Sequence, residues 1–96
     1  MLLGIVLSVC AAALSDEDIH CDVRVKYDAT FESTEQCEIA VDSGALRIAS
    51  DVIKRDGLVV HETTGKCFDQ VELKKYLNDM PEVMADTGRS YQMTFY

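Results

Sequence analysis

The 96-residue chain is poor in the groups that carry chemistry. It has two histidines, His20 and His61, and no Gly-x-Ser-x-Gly elbow, His-Glu-x-x-His pair or glycine-rich phosphate loop. The standard hydrolase, metalloprotease and nucleotide-binding signatures are therefore missing. Without an Asp-x-Asp-x-Asp-Gly run, an EF-hand calcium loop is excluded. No Cys-x-x-Cys occurs, so neither a thioredoxin-type redox site nor a zinc ribbon is indicated. Basic residues are also scarce, nine against 17 acidic ones, and the net charge of −8 disfavours nucleic acid and anionic lipid, whose binding needs Lys and Arg to neutralise phosphate. Internal repeats, linkers and low-complexity tracts are absent, and the length leaves room for one domain.

What is present begins with an uncharged start. Met1–Ser15 reads MLLGIVLSVCAAALS, then Asp16, Glu17 and Asp18 follow at once. The apolar run is too short for a membrane span, which needs about 20 residues. It suits the hydrophobic region of a secretory signal, with small residues Ala13 and Ser15 at −3 and −1 of a cut before Asp16. The expectation is a cleavable signal over 1–15 and a single small domain over 16–96, exported to the periplasm or outside the cell, with no stable span after cleavage. A buried N-terminal element is one alternative, since a basic leading region is lacking. A lipoprotein signal through Cys10 is another, although Val9 is bulky where such signals want a small residue.

Cleavage leaves Cys21, Cys37 and Cys67, and an oxidising compartment would pair two of them. The choice rests on topology. Ile19, Cys21, Val23, Val25, Tyr27 and Ala29 alternate with polar residues, a strand with one buried and one wet face. Ser33 and Gln36 form a capping box ahead of the helical stripe Cys37, Val41, Ala45, Ile48 and Val52, which closes at Arg55-Asp56-Gly57, with Ser43-Gly44 as a point of weakness. Leu58–His61 and Lys66–Phe68 read as two short strands around a Thr63-Thr64-Gly65 turn. Asp69 and Glu72 open a second helix with Leu73, Tyr76, Leu77, Met80 and Met84 on one face; Pro81 is expected to stop it near Asp79, and Gly88 to end any continuation. Tyr91, Met93 and Phe95 alternate in a last strand.

The resulting order, β-α-β-β-α-β, predicts an α+β fold: a small antiparallel sheet with both helices on one face, ferredoxin-like in topology. In that topology Cys21 and Cys67 fall at one end of the sheet and Cys37 at the other, which favours a Cys21–Cys67 disulfide, with Cys37–Cys67 the next choice and Cys37 the spare thiol.

No catalytic residue, metal or cofactor is assigned, and the chain is expected not to be an enzyme. The one conceivable zinc set, His20, Cys21, His61 and Cys67, fails because strand neighbours point to opposite faces. The feature left over is a second stripe, Ile39, Leu46 and Ile53, repeating every seven residues on the far side of the first helix. One helix on one sheet does not need it, so either the second helix or another chain covers it. These three residues are the candidate partner-binding surface of a protein-interaction module, such as an inhibitor or exclusion factor, and an acidic chain suits a basic partner. The alternative is an assembly component, homodimeric through Cys37 or through the same stripe.

Overall fold

A computed structural model describes residues 1–13, 18–87 and 89–96, with the side chains of Asp56 and 82–87 left aside. Six elements follow in order: β1 (Leu2–Ala12), β2 (His20–Thr30), α1 (Thr34–Asp56), β3 (Val59–Phe68), α2 (Gln70–Thr87) and β4 (Ser90–Phe95). They form one four-stranded sheet in the order β3-β1-β2-β4, with β1 antiparallel to both its neighbours and β4 parallel to β2. The α+β class expected from the sequence is what forms. Its finer topology differs, because the leading apolar run adds a strand and the two short strands expected at 58–61 and 66–68 are one: the order is β-β-α-β-α-β, the sheet is mixed, and the strand order is not ferredoxin-like.

The extra strand sits at the centre of the sheet, and this explains the second correction. Both helices were expected on one face; they lie on opposite faces. Leu3 clusters with Cys37 and Val41 of α1, with Ile5 and Leu7 packed against that group. Val6, between them, clusters instead with Val23, Val25 and the α2 residues Leu73 and Met80. Successive strand residues point to opposite faces, so a strand that is apolar throughout needs cover on both. β1, apolar but for Ser8, is such a strand, and one helix supplies each cover. α1 packs over β1 and β3. Along β2, meanwhile, Val23 and Val25 are buried on the α2 side, while Asp22 and Arg24 are half-exposed and Lys26 is exposed, which is the alternation read from the sequence.

That alternation breaks near its end. Leu3 pairs with Ala29 and Ile5 with Lys26, so Tyr27 and Asp28 both stand opposite Gly4 in a β-bulge. A second bulge places His61 as the extra residue between Glu62, opposite Cys10, and Val60, opposite Ala11. Beyond it β3 runs on through the Thr63-Thr64-Gly65 segment that was expected to turn. Gly65 is there for a different reason: a Cβ at this position would lie 2.8 Å from the backbone carbon and oxygen of Val41, so only glycine lets α1 sit this close to the strand.

α1 begins and ends as its sequence indicates. The Gln36 amide donates to Ser33 Oγ at 3.2 Å, and Gly57, at φ 63°, donates its amide to the Ile53 carbonyl. The helix continues unbroken through Ser43-Gly44. At the start of α2, Asp69 Oδ1 accepts from the Glu72 amide at 2.7 Å. The expected stop at Pro81 does not occur, and α2 continues to Thr87. Met80, buried against the sheet just before the proline, holds that turn in place and offsets the lost backbone bond. Met84 and Gly88 lie outside the described side chains and residues, as does the junction at 14–17 that contains the expected cut.

The disulfide assignment is also corrected. Cys10 bonds to Cys21 and Cys37 to Cys67, leaving no free cysteine. Cys10 and Cys21 stand directly opposite in the β1–β2 ladder, with Cα atoms 4.0 Å apart. Cys67 pairs with Ile5, five residues along β1 from Cys10 and on the other face of the sheet. Cys21 and Cys67 are therefore separated by roughly 17 Å of strand and by the sheet itself. Instead Cys67 fastens β3 to the first turn of α1.

Candidate functional site

α1 carries two different faces. Cys37, Val41, Ala45 and Ala49 are buried against the sheet at four-residue intervals. On the opposite side Ile39, Leu46 and Ile53 are 62%, 65% and 51% exposed. Seven residues is almost two helical turns, so the three side chains line up along the helix. The sequence left two ways to cover this stripe, the second helix or another chain. The first is closed, because α2 lies across the sheet from α1.

The surroundings of the stripe are charged and exposed. Glu35 and Asp42 each stand one turn before a stripe residue, while Arg47 and Lys54 each directly follow one. At helical spacing this puts acids along one border and bases along the other. The surface is thus apolar in the middle with a border of each sign.

Other groups singled out from the sequence fall elsewhere. The spare-thiol and dimer-forming roles considered for Cys37 do not survive, since its sulfur is bonded to Cys67 and the residue is wholly buried. His20 and His61 are both exposed, the first opening β2 and the second on the β3 bulge. Cys21 and Cys67, the remaining members of the conceivable zinc set, are each consumed by a disulfide. Among the described residues, no three His, Cys, Asp or Glu side chains converge as a metal site.

The structure also forms a hollow that sequence reading missed, on the α2 face between β1, β3 and α2. It has a volume of about 250 Å³, and Ser8, Cys10, Lys66, Tyr76, Met80 and Tyr91 contribute to its wall. Three of its ten lining residues, Val6, Ser8 and Cys10, come from β1, within the stretch expected to be a leader. The alternating polar residues Glu62, Thr64 and Lys66 on β3 were the available signal, obscured by the expected turn at Gly65.

The chain matches no protein-family model, no curated protein and no solved structure.

Proposed function

We propose that this chain is a small protein of an oxidising, extracytoplasmic compartment that works by binding another protein through the outer face of α1. The observation that carries the binding half is the exposure of Ile39, Leu46 and Ile53 in one line on a helix whose opposite face is already buried. Aligned apolar side chains with charged borders have the pattern of a helix that docks into an apolar groove. The compartment half is supported by four cysteines that pair off completely, since such bonds persist where thiols are not kept reduced. No helix among the described residues is long and apolar enough to cross a membrane. In this reading β1 stays with the chain, because cleavage after Ser15 and the sheet described here exclude one another.

The test compares the wild-type chain with Leu46→Ala and with Ile39→Ser/Ile53→Ser as baits in the organism's own exported fraction. The expected result is a protein recovered by the wild type and lost with both variants, whose melting curves stay within a few degrees of the original. Loss of several kcal/mol of stability would make the stripe part of the core, and unchanged recovery would place binding elsewhere.

A homodimer through the same stripe is the second reading, favoured by the two-signed border: a parallel copy would bring the acidic edge of one helix against the basic edge of the other. Sedimentation of the oxidised full-length chain separates the two, with a dimer that Leu46→Glu returns to monomer supporting self-association.

A further inference from the structure

The hollow on the α2 face is lined unlike the rest of this acidic surface. Its floor is apolar and sulfur-rich, from Val6, Cys10 of the cross-strand disulfide, and Met80. Two phenols, Tyr76 and Tyr91, stand beside it. Lys66 Nζ lies 5.9 Å from the centre of the Tyr76 ring. At the rim Arg89 Nη1 donates to Glu62 Oε2 at 2.7 Å. Two cations and one carboxylate thus line the hollow, and because Arg89 and Glu62 offset each other, the excess positive charge sits on Lys66. This occurs in a chain whose net charge is −8.

We infer that this hollow is a binding site for a small aromatic carboxylate, with the carboxylate on the Lys66 ammonium and the ring over Met80 and Cys10. The volume of about 250 Å³ holds the equivalent of roughly eight waters. A single ring bearing one carboxylate, about nine non-hydrogen atoms, is of that size. The floor suits a ring, since thioether and disulfide sulfur make favourable contacts with aromatic faces and edges. The hydroxyls of Ser8 and Thr64, both in the wall, are further donors to the anion. The Tyr76 phenol is a further donor, protonated at neutral pH as any tyrosine is, and burial first and Tyr91 second raise it above its ordinary value. A neutral aromatic would gain nothing from the Lys66 charge, and a dianion would exceed the single excess charge at the hollow. The site lies across the sheet from the outer face of α1, so it stands or falls separately from the protein-binding proposal.

The test uses the oxidised full-length chain, titrated with benzoate and followed by amide chemical shifts, with benzamide and acetate as comparison probes. Benzoate should shift the amides of Val6, Ser8, Thr64, Met80 and Tyr91, and should bind at least about tenfold more tightly than either comparison probe. Lys66→Gln should weaken benzoate by at least about tenfold, whereas Lys74→Gln, an exposed change on α2, should leave it unchanged. Both lysines are exposed, so neither variant threatens the fold. The inference is overturned if benzoate does not bind, if benzamide binds as well, if Lys66→Gln has no effect, or if the shifts map to another surface.

Discussion

The sharpest consequence of this fold concerns residues 1–15. Cleavage after Ser15 would remove the strand that pairs with both β2 and β3 and split the sheet in two. The loss can be estimated from three side chains alone: Leu3, Val6 and Val9 are 6%, 3% and 3% exposed. Burying a large aliphatic side chain contributes about 1.5–3 kcal/mol, so these three contribute about 4.5–9 kcal/mol together. The Cys10–Cys21 bond, with its sequence separation of 11, contributes about 3 kcal/mol in the chain-entropy model. Whole domains are stable by only about 5–15 kcal/mol, with small ones towards the lower end. A chain beginning at Asp16 should therefore not hold this fold. The assay is thermal unfolding by far-ultraviolet circular dichroism, on chains 1–96 and 16–96 produced under oxidising conditions, with a thiol count in denaturant. The full chain should melt cooperatively and show no free thiol; the truncated chain should lack a cooperative transition and expose the Cys21 thiol. A truncated chain that melts cooperatively within a few degrees of the full one would refute the reasoning. So would protein isolated from its own cells with the mass of Asp16–Tyr96, because the working molecule would then be built without β1.

Three further predictions test the packing more locally. Gly65→Ala should cost about 1–3 kcal/mol, because the new methyl group meets the α1 backbone at Val41, whereas Gly44→Ala, whose Cβ would make ordinary contact with Leu7, should gain up to about 1 kcal/mol from helix propensity; urea midpoints read both. Replacing Cys37 and Cys67 together by alanine should cost about 4 kcal/mol, since their bond closes a sequence separation of 30, and unchanged urea unfolding would show that the helix–strand clamp contributes nothing. Tyr76 gives a pH test: its folded value is raised above 10.0 by burial first and Tyr91 second, so the native state keeps a proton that the unfolded chain has released. Stability from this group is fully present below about pH 10 and is lost as pH rises through the folded value; Tyr76→Phe should flatten part of the decline measured from about pH 9 to about pH 11.

Local rules made most of the elements legible. Both helix starts, at Ser33 and Asp69, follow from a short polar side chain placed to accept from an amide three residues on. Gly57 ends α1 because it alone takes a left-handed conformation without strain. What local rules misjudged was punctuation overruled by packing. Gly65 has the sequence signature of a turn but marks a close backbone approach, and Pro81 has that of a stop but sits in a helix whose Met80 is buried against the sheet. The candidate surface on α1 was legible for a simple reason: a helix between one sheet and solvent has one stripe too many if it has two, and that surplus can be counted without knowing the fold. The α2-face hollow was not legible, because its wall comes from four elements and its floor depends on the register of β1 against β3.

Reading residues 1–15 as a leader leaves β1 out of the expected sheet; most of the remaining differences follow from that, and the reason is physical. A strand buried on both faces and a leader that enters a membrane are both short, uncharged and continuously apolar, so hydropathy has no power to separate them. Pairing chemistry bears on the choice. Removing Cys10 with a leader leaves three cysteines in a compartment that favours disulfides, and one must remain odd. Retaining it gives four, which pair completely, and places Cys10 in register with Cys21. The same choice decides the helices. With residues 1–15 left out, the expected four-stranded sheet with one wet face has room for both helices on the other. With β1 present, Leu3, Ile5 and Leu7 face one way and Val6 the other, so the helices must separate. That separation denies α1's outer stripe any cover from α2. The proposal for a binding partner therefore depends on β1 as much as the fold does, and the truncation experiment tests both.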